Sequence, residues 1–276
     1  MIKRSRFLKN TALGLGAALV LAACGGGGST PAPEATDGDA GVSSGGTWTV
    51  GTEPAFPPFE SQGDGGELVG FDIDLMKAIG EKAGVEVAFE SLPFDGLIPS
   101  LQSGTIDAAI SGMTITEERA QTVDFSRPYF RAGLAIAVAE GNTEVTSLPD
   151  LEGKKIAVQI GTTGADQAKE VPGAEISTFD SAPLALQELT NGNVDAVIND
   201  APVTLDAITT GKVQGVEVVG ELLTEEFYGI ALPKDSPNTE AINTAMAEML
   251  SDGTYAEIYQ TWFGTEPDVD LPESAF

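Results

Sequence analysis

The chain has 276 residues, 42% of them apolar, and carries 42 acidic against 14 basic side chains for a formal charge of −28. A core can form, but no basic surface is available to neutralise the phosphates of a nucleic acid. A single cysteine and no histidine exclude an internal disulfide, thiolate or imidazole zinc sites and catalytic triads with a histidine base.

Lys3, Arg4, Arg6 and Lys9 precede an uncharged apolar run from Thr11 to Ala22, the pattern of a secretory leader and too short to span a bilayer comfortably. The run ends in Leu21-Ala22-Ala23-Cys24, which resembles the lipobox of bacterial lipoproteins, so residues 1–23 are expected to be removed and Cys24 acylated. An ordinary secretory leader is the alternative. Residues 24–47 are rich in Gly, Ser, Pro and acids without periodic apolar positions and read as a flexible linker tethering a folded body to the membrane.

From Trp48 strands and helices alternate. W-T-V-G is a strand; Phe71, Leu75, Ile79 and Ala83 recur at four-residue spacing on one helical stripe that Gly84 ends. V-E-V-A-F-E alternates as a strand. F-D-G-L-I-P-S-L-Q-S-G is a helix carrying Leu97, Ile98 and Leu101 and closed by Gly104, and I-D-A-A-I follows as a buried strand. The pattern predicts an α/β architecture with parallel strands.

An internal echo follows. Leu101–Gly112 (L-Q-S-G-T-I-D-A-A-I-S-G) aligns without gaps with Leu189–Asp200 (L-T-N-G-N-V-D-A-V-I-N-D), each a helix end, a glycine and a strand. Chance reuse of α/β grammar is one explanation; two similar lobes is the other. In the second case residues 111–112 and 199–200 lie just past the carboxyl ends of matching strands, where open α/β sheets bind ligands. K-K-I-A-V-Q is a further strand, leading through a Gly/Thr-rich loop to the helix A-D-Q-A-K-E, and Y-G-I-A-L-P is another. Ser236-Pro237 then reads as N-cap and first residue of a helix, before a last helix with Tyr255, Ile258, Tyr259 and Trp262. The tail is expected to return to the first lobe, giving lobe 1 as residues 48–130 and 227–276 and lobe 2 as 131–226, joined by two hinge crossings.

Past residue 6 the only arginines are Arg119, Arg127 and Arg131. Thr116 followed by Glu117 and Glu118 reads as a helix N-cap with acids in the first turn, which puts Arg119 at the mouth of a helix beside free N–H groups. A planar five-donor guanidinium there suits a carboxylate. A surface arginine pairing with Glu117 or Glu118 is the alternative.

The segments T-E-P-A-F-P-P-F-E, G-F-D-I-D-L, F-D-G-L-I-P-S-L, S-G-M-T-I-T-E-E-R, D-F-S-R-P-Y, V-Q-I-G-T-T-G, V-D-A-V-I-N-D and D-G-T-Y-A-E-I-Y-Q-T-W-F-G occur in the order seen in the polar amino-acid-binding proteins of ABC transporters (solute-binding protein family 3). The chain resembles that family, its glutamine- and arginine-binding group in particular, from about Thr47 to Gly264. The resemblance implies a two-lobe periplasmic-binding-protein-like fold of type II with the ligand in the cleft, no enzymatic activity, no cofactor and no metal. It also implies an ABC permease as partner and a monomer held outside the cytoplasm, touching the membrane by its lipid alone.

The same resemblance implies that Arg119 holds the ligand's α-carboxylate, Thr163 adding donors from lobe 2. Asp200 then meets the ammonium with the Gly112 carbonyl and the Thr114 hydroxyl; capping of the following helix is the other use of Asp200. Phe56 and Phe94 resemble the aromatic pair around the ligand's side chain, though both could be core. Glu53 and Gln159, with Ser111, would set selectivity. Glu53 replaces the aspartate common in glutamine-binding relatives and Gln159 their lysine, leaving a net negative pocket that suits arginine or another basic amino acid; a loop acid and a strand-end amide are the bland readings. Glutamine stays a candidate, as do a cyclohexadienyl dehydratase-like lyase and a sensory lipoprotein of the same fold.

Overall fold

The computed structural model describes residues 46–267 and 271–275. The expected leader, Cys24 and the linker up to residue 45 lie outside the described residues. Thr47, expected as linker, is instead the first residue of a strand.

The chain begins with β1 (Thr47–Thr52) and a small antiparallel meander of β2 (Ala55–Phe56), β3 (Glu60–Gln62) and β4 (Leu68–Val69). It continues through α1 (Phe71–Ala83), β5 (Glu86–Ser91), α2 (Phe94–Gln102), β6 (Ala108–Ala109), α3 (Glu117–Ala120), β7 (Val123–Phe125) and β8 (Phe130–Ala132). A second run comprises β9 (Leu134–Ala139), β10 (Lys155–Gln159), α4 (Thr163–Lys169), β11 (Glu175–Phe179), α5 (Ala182–Thr190), β12 (Ala196–Asp200), α6 (Ala201–Thr209) and β13 (Val216–Val219). β14 (Glu226–Tyr228), β15 (Ala231–Pro233), α7 (Asn238–Asp252) and α8 (Thr254–Phe263) complete it.

Two five-stranded sheets result, ordered β5-β1-β6-β15-β7 and β11-β10-β12-β9-β13, and β8 and β14 form a two-stranded ribbon between them. The sheets are mixed rather than wholly parallel. β1 runs parallel to β5 and β6, and β10 to β11 and β12, but β15 and β9 are antiparallel to their neighbours. The reason is topological: β9 and β15 each enter directly from the ribbon, without the helical crossover that makes strands parallel. The lobe boundaries expected from the sequence fall within the ribbon strands.

α1 buries Phe71, Leu75 and Ile79 as its four-residue stripe requires, and Gly84 ends it in the left-handed conformation (φ 71°). α7 and α8 return to pack on α1, adding Ile242, Met246, Met249 and Tyr255 to the first core. Each such fully buried side chain contributes about 1.5–3 kcal/mol. The second sheet is covered on both faces: Ile136, Val138, Ile156 and Val158 point into one cluster, Ala137, Ala157 and Val197 into the other. α7 starts at Asn238, one residue later than expected, although Pro237 already has helical φ/ψ (−64°, −15°) and Ser236 Oγ accepts from Asn238 N at 3.3 Å.

The echo is structural. Gly104 and Gly192 both turn with positive φ, at 70° and 73°. Asp107 exchanges two bonds with Thr49, its N–H to the Thr49 carbonyl and its Oδ2 from the Thr49 N–H, both 2.8 Å. Asp195 exchanges the same two with Lys155, again at 2.8 Å. The two repeats thus lock β6 beside β1 and β12 beside β10, each a parallel pair, and deliver the next residues past the strand's carboxyl end.

Candidate functional site

Those two ends face one narrow pocket, lined by Phe56, Phe94, Gly112, Thr114, Arg119, Gln159, Thr162, Thr163 and Asp200. Larger concavities lie elsewhere among the described residues, none with an arginine in the lining: one between α5 and α6, closed on one side by Pro57, has no acid either, and the others, at α7 and at the start of β14, are open.

Thr116 caps α3, its Oγ1 accepting from Arg119 N at 3.1 Å. The guanidinium donates from Nη1 to the Thr114 carbonyl (2.6 Å) and from Nη2 to the Gly161 carbonyl of the second lobe (3.0 Å), and its Cζ stands 5.4 Å from the centre of the Phe94 ring. No ion pair with Glu117 or Glu118 forms. Burial lowers the Arg119 pKa while Asp200 and Glu226 oppose the shift; a guanidinium stays charged under such a load. The other arginines point elsewhere, Arg131 pairing with Glu225 at 2.8 Å on the surface.

Asp200 occupies the N-cap position of α6 but makes no capping bond. Its side chain is buried in the pocket wall and accepts from the Tyr228 hydroxyl at 2.7 Å. Burial, then the charge of Glu226, raises its pKa to about 7, against the pull of Tyr228 and Arg119. Thr114 is held by a β-bridge to Tyr228, with Ile115 N donating to Phe227 O and Gly229 N to Met113 O alongside.

At the other end of the pocket Gln159 Nε2 donates to Glu53 Oε2 at 2.7 Å, while Gln159 Oε1 has no partner. Burial raises the Glu53 pKa to about 7; the Gln159 bond opposes and Asp95 adds to the rise. Ser111 lies behind the lining rather than in it. Its hydroxyl accepts from Glu53 N (3.0 Å) and donates to Glu60 Oε1 (2.7 Å). Asp72 Oδ2 accepts from Gly112 N and the Tyr129 hydroxyl, both at 2.8 Å. Glu60 and Asp72 are wholly buried; burial pushes both pKa values up, Asp72 to about 6, and the charge of Asp72 raises Glu60 further.

Of the sequence-expected residues, Phe56, Phe94, Gly112, Thr114, Arg119, Gln159, Thr163 and Asp200 line the pocket, with Glu53 one hydrogen bond away and Ser111 as support. Cys24 lies outside the described residues. Thr162 and Glu226 were not among them. Thr162 is the true cap of α4, accepting from Ala165 N at 3.2 Å and donating to the Gln159 carbonyl at 2.8 Å; in a T-T pair either residue can cap. Glu226 accepts from Thr114 and Thr163 hydroxyls. The strand period of two, which puts it on the face of Tyr228, is the signal that could have found it. Among the described residues no cluster suited to a metal occurs, and no helix is long and apolar enough to cross a membrane.

The sequence model of bacterial extracellular solute-binding proteins, family 3, matches residues 48–265. The L-cystine-binding protein TcyJ of Escherichia coli (strain K12) is 35% identical over 224 residues, covering 80% of this chain and 84% of that one. An ancestral arginine-binding protein bound to arginine superposes with a TM-score of 0.76 at 52% identity, covering 79% of this chain and 98% of the other. An ancestral arginine-binding protein bound to glutamine gives 0.74 and 51%, with the same coverage. The family match spans nearly all the described residues, and the two-lobe α/β fold with its cleft agrees with it: the chain belongs to the bacterial extracellular solute-binding proteins of family 3.

Proposed function

We propose that the protein captures a polar L-amino acid, arginine or another basic one by preference, between its lobes and delivers it to an ABC importer as a lipid-anchored monomer acylated at Cys24. The observation that carries this reading is the placement of one guanidinium, Arg119, and one buried carboxylate, Asp200, in the lining of a single pocket. An α-amino acid is a dipole whose two ends need such a pair, and burying both ends is favourable only when both are matched.

In this reading Arg119 exchanges its bonds to the Thr114 and Gly161 carbonyls for the ligand's carboxylate, assisted by the backbone N–H of Thr163. Asp200, the Thr114 hydroxyl and the Gly112 carbonyl take the ammonium. Phe56 and Phe94 flank the side chain, whose far end meets Glu53 and Gln159, with Ser111 fixing Glu53 from behind. Glu53, Asp200 and Glu226 outnumber Arg119, so a cationic side chain offsets part of the surplus negative charge. The unpartnered Gln159 Oε1 is a further acceptor for a guanidinium or ammonium. Glutamine is the second candidate, because the Gln159 amide can serve a neutral amide equally well.

The cleft works by binding alone, with no chemical step. A thermal-shift screen of the twenty amino acids followed by calorimetry tests the reading, the expected result being a basic amino acid bound near micromolar, about −8 kcal/mol. Binding of none of them, or release of an aromatic product from prephenate or arogenate, overturns it.

A further inference from the structure

We infer that Glu226 is a positioning residue that latches the two lobes together through a pair of threonine hydroxyls and fixes which way those hydroxyls face. It is the first residue of β14, on the ribbon between the lobes, and is 7% exposed. Its Oε2 accepts from Thr114 Oγ1 of the first lobe at 2.7 Å and from Thr163 Oγ1 of the second at 3.1 Å, while Oε1 accepts from Thr224 Oγ1 at 3.1 Å. One carboxylate oxygen thus joins the two jaws by charge-assisted hydrogen bonds, about twice as strong as neutral ones.

The other side-chain links across the cleft, Arg119 to Gly161, Gln159 to Glu53 and Tyr228 to Asp200, each use a group that the ligand itself would claim. The Glu226 link uses only the protons of its partner hydroxyls, so the lone pair that Thr114 offers a ligand stays free and the bond need not break on binding. It therefore holds the lobes both before and after a ligand arrives.

A second consequence follows from proton count. A hydroxyl carries one proton; once Thr114 and Thr163 donate theirs to Glu226, both turn only lone pairs to the pocket. Thr163 then serves a carboxylate through its backbone N–H, not its hydroxyl, and Thr114 becomes an obligate acceptor for an ammonium. This part rests on the amino-acid reading above and deepens it; the latch does not.

Two measurements test the inference. Stopped-flow dissociation of arginine should be about tenfold faster in Glu226→Ala with association changed little, and Glu226→Gln, which keeps an acceptor, should recover most of the loss. Thr163→Val should also speed dissociation in the parent protein and add nothing in the Glu226→Ala background. A rate for Glu226→Ala within twofold of the parent, or an undiminished Thr163→Val effect in that background, overturns the latch.

The second measurement needs no ligand. Spin labels on Glu117→Cys and Glu170→Cys, in a Cys24→Ser chain, report the distance between exposed positions on the two lobes; Glu226→Ala and Thr163→Val should both shift the distribution to longer distances. An unchanged distribution in Thr163→Val overturns the latch even if Glu226→Ala fails to fold. Failure to bind any amino acid with the distance shift intact would refute the proposed function and leave the latch standing.

Discussion

Gln159, at the end of β10, reaches across the cleft and donates from Nε2 to Glu53 Oε2 at 2.7 Å, with both side chains buried. A neutral donor satisfies the acid without cancelling its charge. Gln159→Lys would place an ammonium against that carboxylate and neutralise this end of the pocket. The expected outcome is a loss of arginine affinity of tenfold or more, on the order of 1.4 kcal/mol, with glutamine binding held or improved. Calorimetry with both ligands measures the switch, and equal losses for the two would show that the charge of Glu53 does not select.

Arg119 donates one bond to each lobe, to Thr114 O and Gly161 O. Arg119→Ala should weaken amino-acid binding by roughly 3–5 kcal/mol, because it strands the ligand's carboxylate in a buried site. Arg119→Lys should recover only part, since a point charge cannot reproduce the bidentate fork. Unchanged affinity in the alanine variant, measured by calorimetry, would remove Arg119 from the site.

The raised acids make opposite pH predictions for the ligand-free and ligand-bound protein. Glu53 and Asp200 titrate near 7 when folded, against ordinary values of 4.5 and 3.8, and Asp72 is raised to about 6. Between those limits the folded chain holds protons that the unfolded chain has lost. Their contribution to ligand-free stability is therefore greatest at low pH and declines as pH rises through the folded values. The melting temperature of the ligand-free protein should fall from pH 5 to pH 8, by about 2–4 °C for each kcal/mol lost. A cationic ligand needs both pocket carboxylates ionised, so arginine affinity should instead fall from pH 8 to pH 5, by up to about tenfold per pH unit for each carboxyl. Calorimetry in buffers of different ionisation heat should detect proton release on binding at pH 6.5; proton uptake would contradict the assignment.

Gly112 has φ +52°, and a Cβ placed on it would sit 2.6 Å from Cε1 of the buried Phe56 ring. Gly112→Ala should cost about 1–3 kcal/mol of stability through backbone strain. It should also displace the ring that flanks the pocket and weaken ligand binding. Chemical denaturation and calorimetry read the two effects; an alanine variant equal to the parent in both would mean that the ring and loop yield freely.

Much of this was readable because single rules governed each segment. The α1 stripe, the helix–glycine–strand echo and the Thr116 cap of α3 are local patterns, and each reappears in the fold. β9, Leu134–Ala139, escapes such reading: five of its six residues are buried, because helices and loops cover both faces of the second sheet, and a strand without a wet face loses its alternation. The site shows the same division. Residues at or just past strand ends, such as Gly112 and Asp200, could be placed once the echo was seen, since topology brings those ends together; Thr163, outside the echo, was placed by the family resemblance. Glu60 and Asp72 could not be placed, because nothing local distinguishes an acid buried behind a site from one on the surface; Glu226 carried only the faint mark of its alternation with Tyr228 in a three-residue strand. The excess of acids in the chain hid these few among many.

The ribbon joins β8 and β14 by only three residue pairs, Glu226 with Ala132, Phe227 with Arg131 and Tyr228 with Phe130. It is edged by the exposed Arg131–Glu225 ion pair. Both chain crossings between the sheets run through it, so its geometry bears on the resting angle of the jaws, and apparent affinity scales with the share of molecules already poised to grip. Substitutions on its solvent side can therefore recalibrate the receptor to scarcer or more plentiful nutrient without altering one atom of the recognition chemistry.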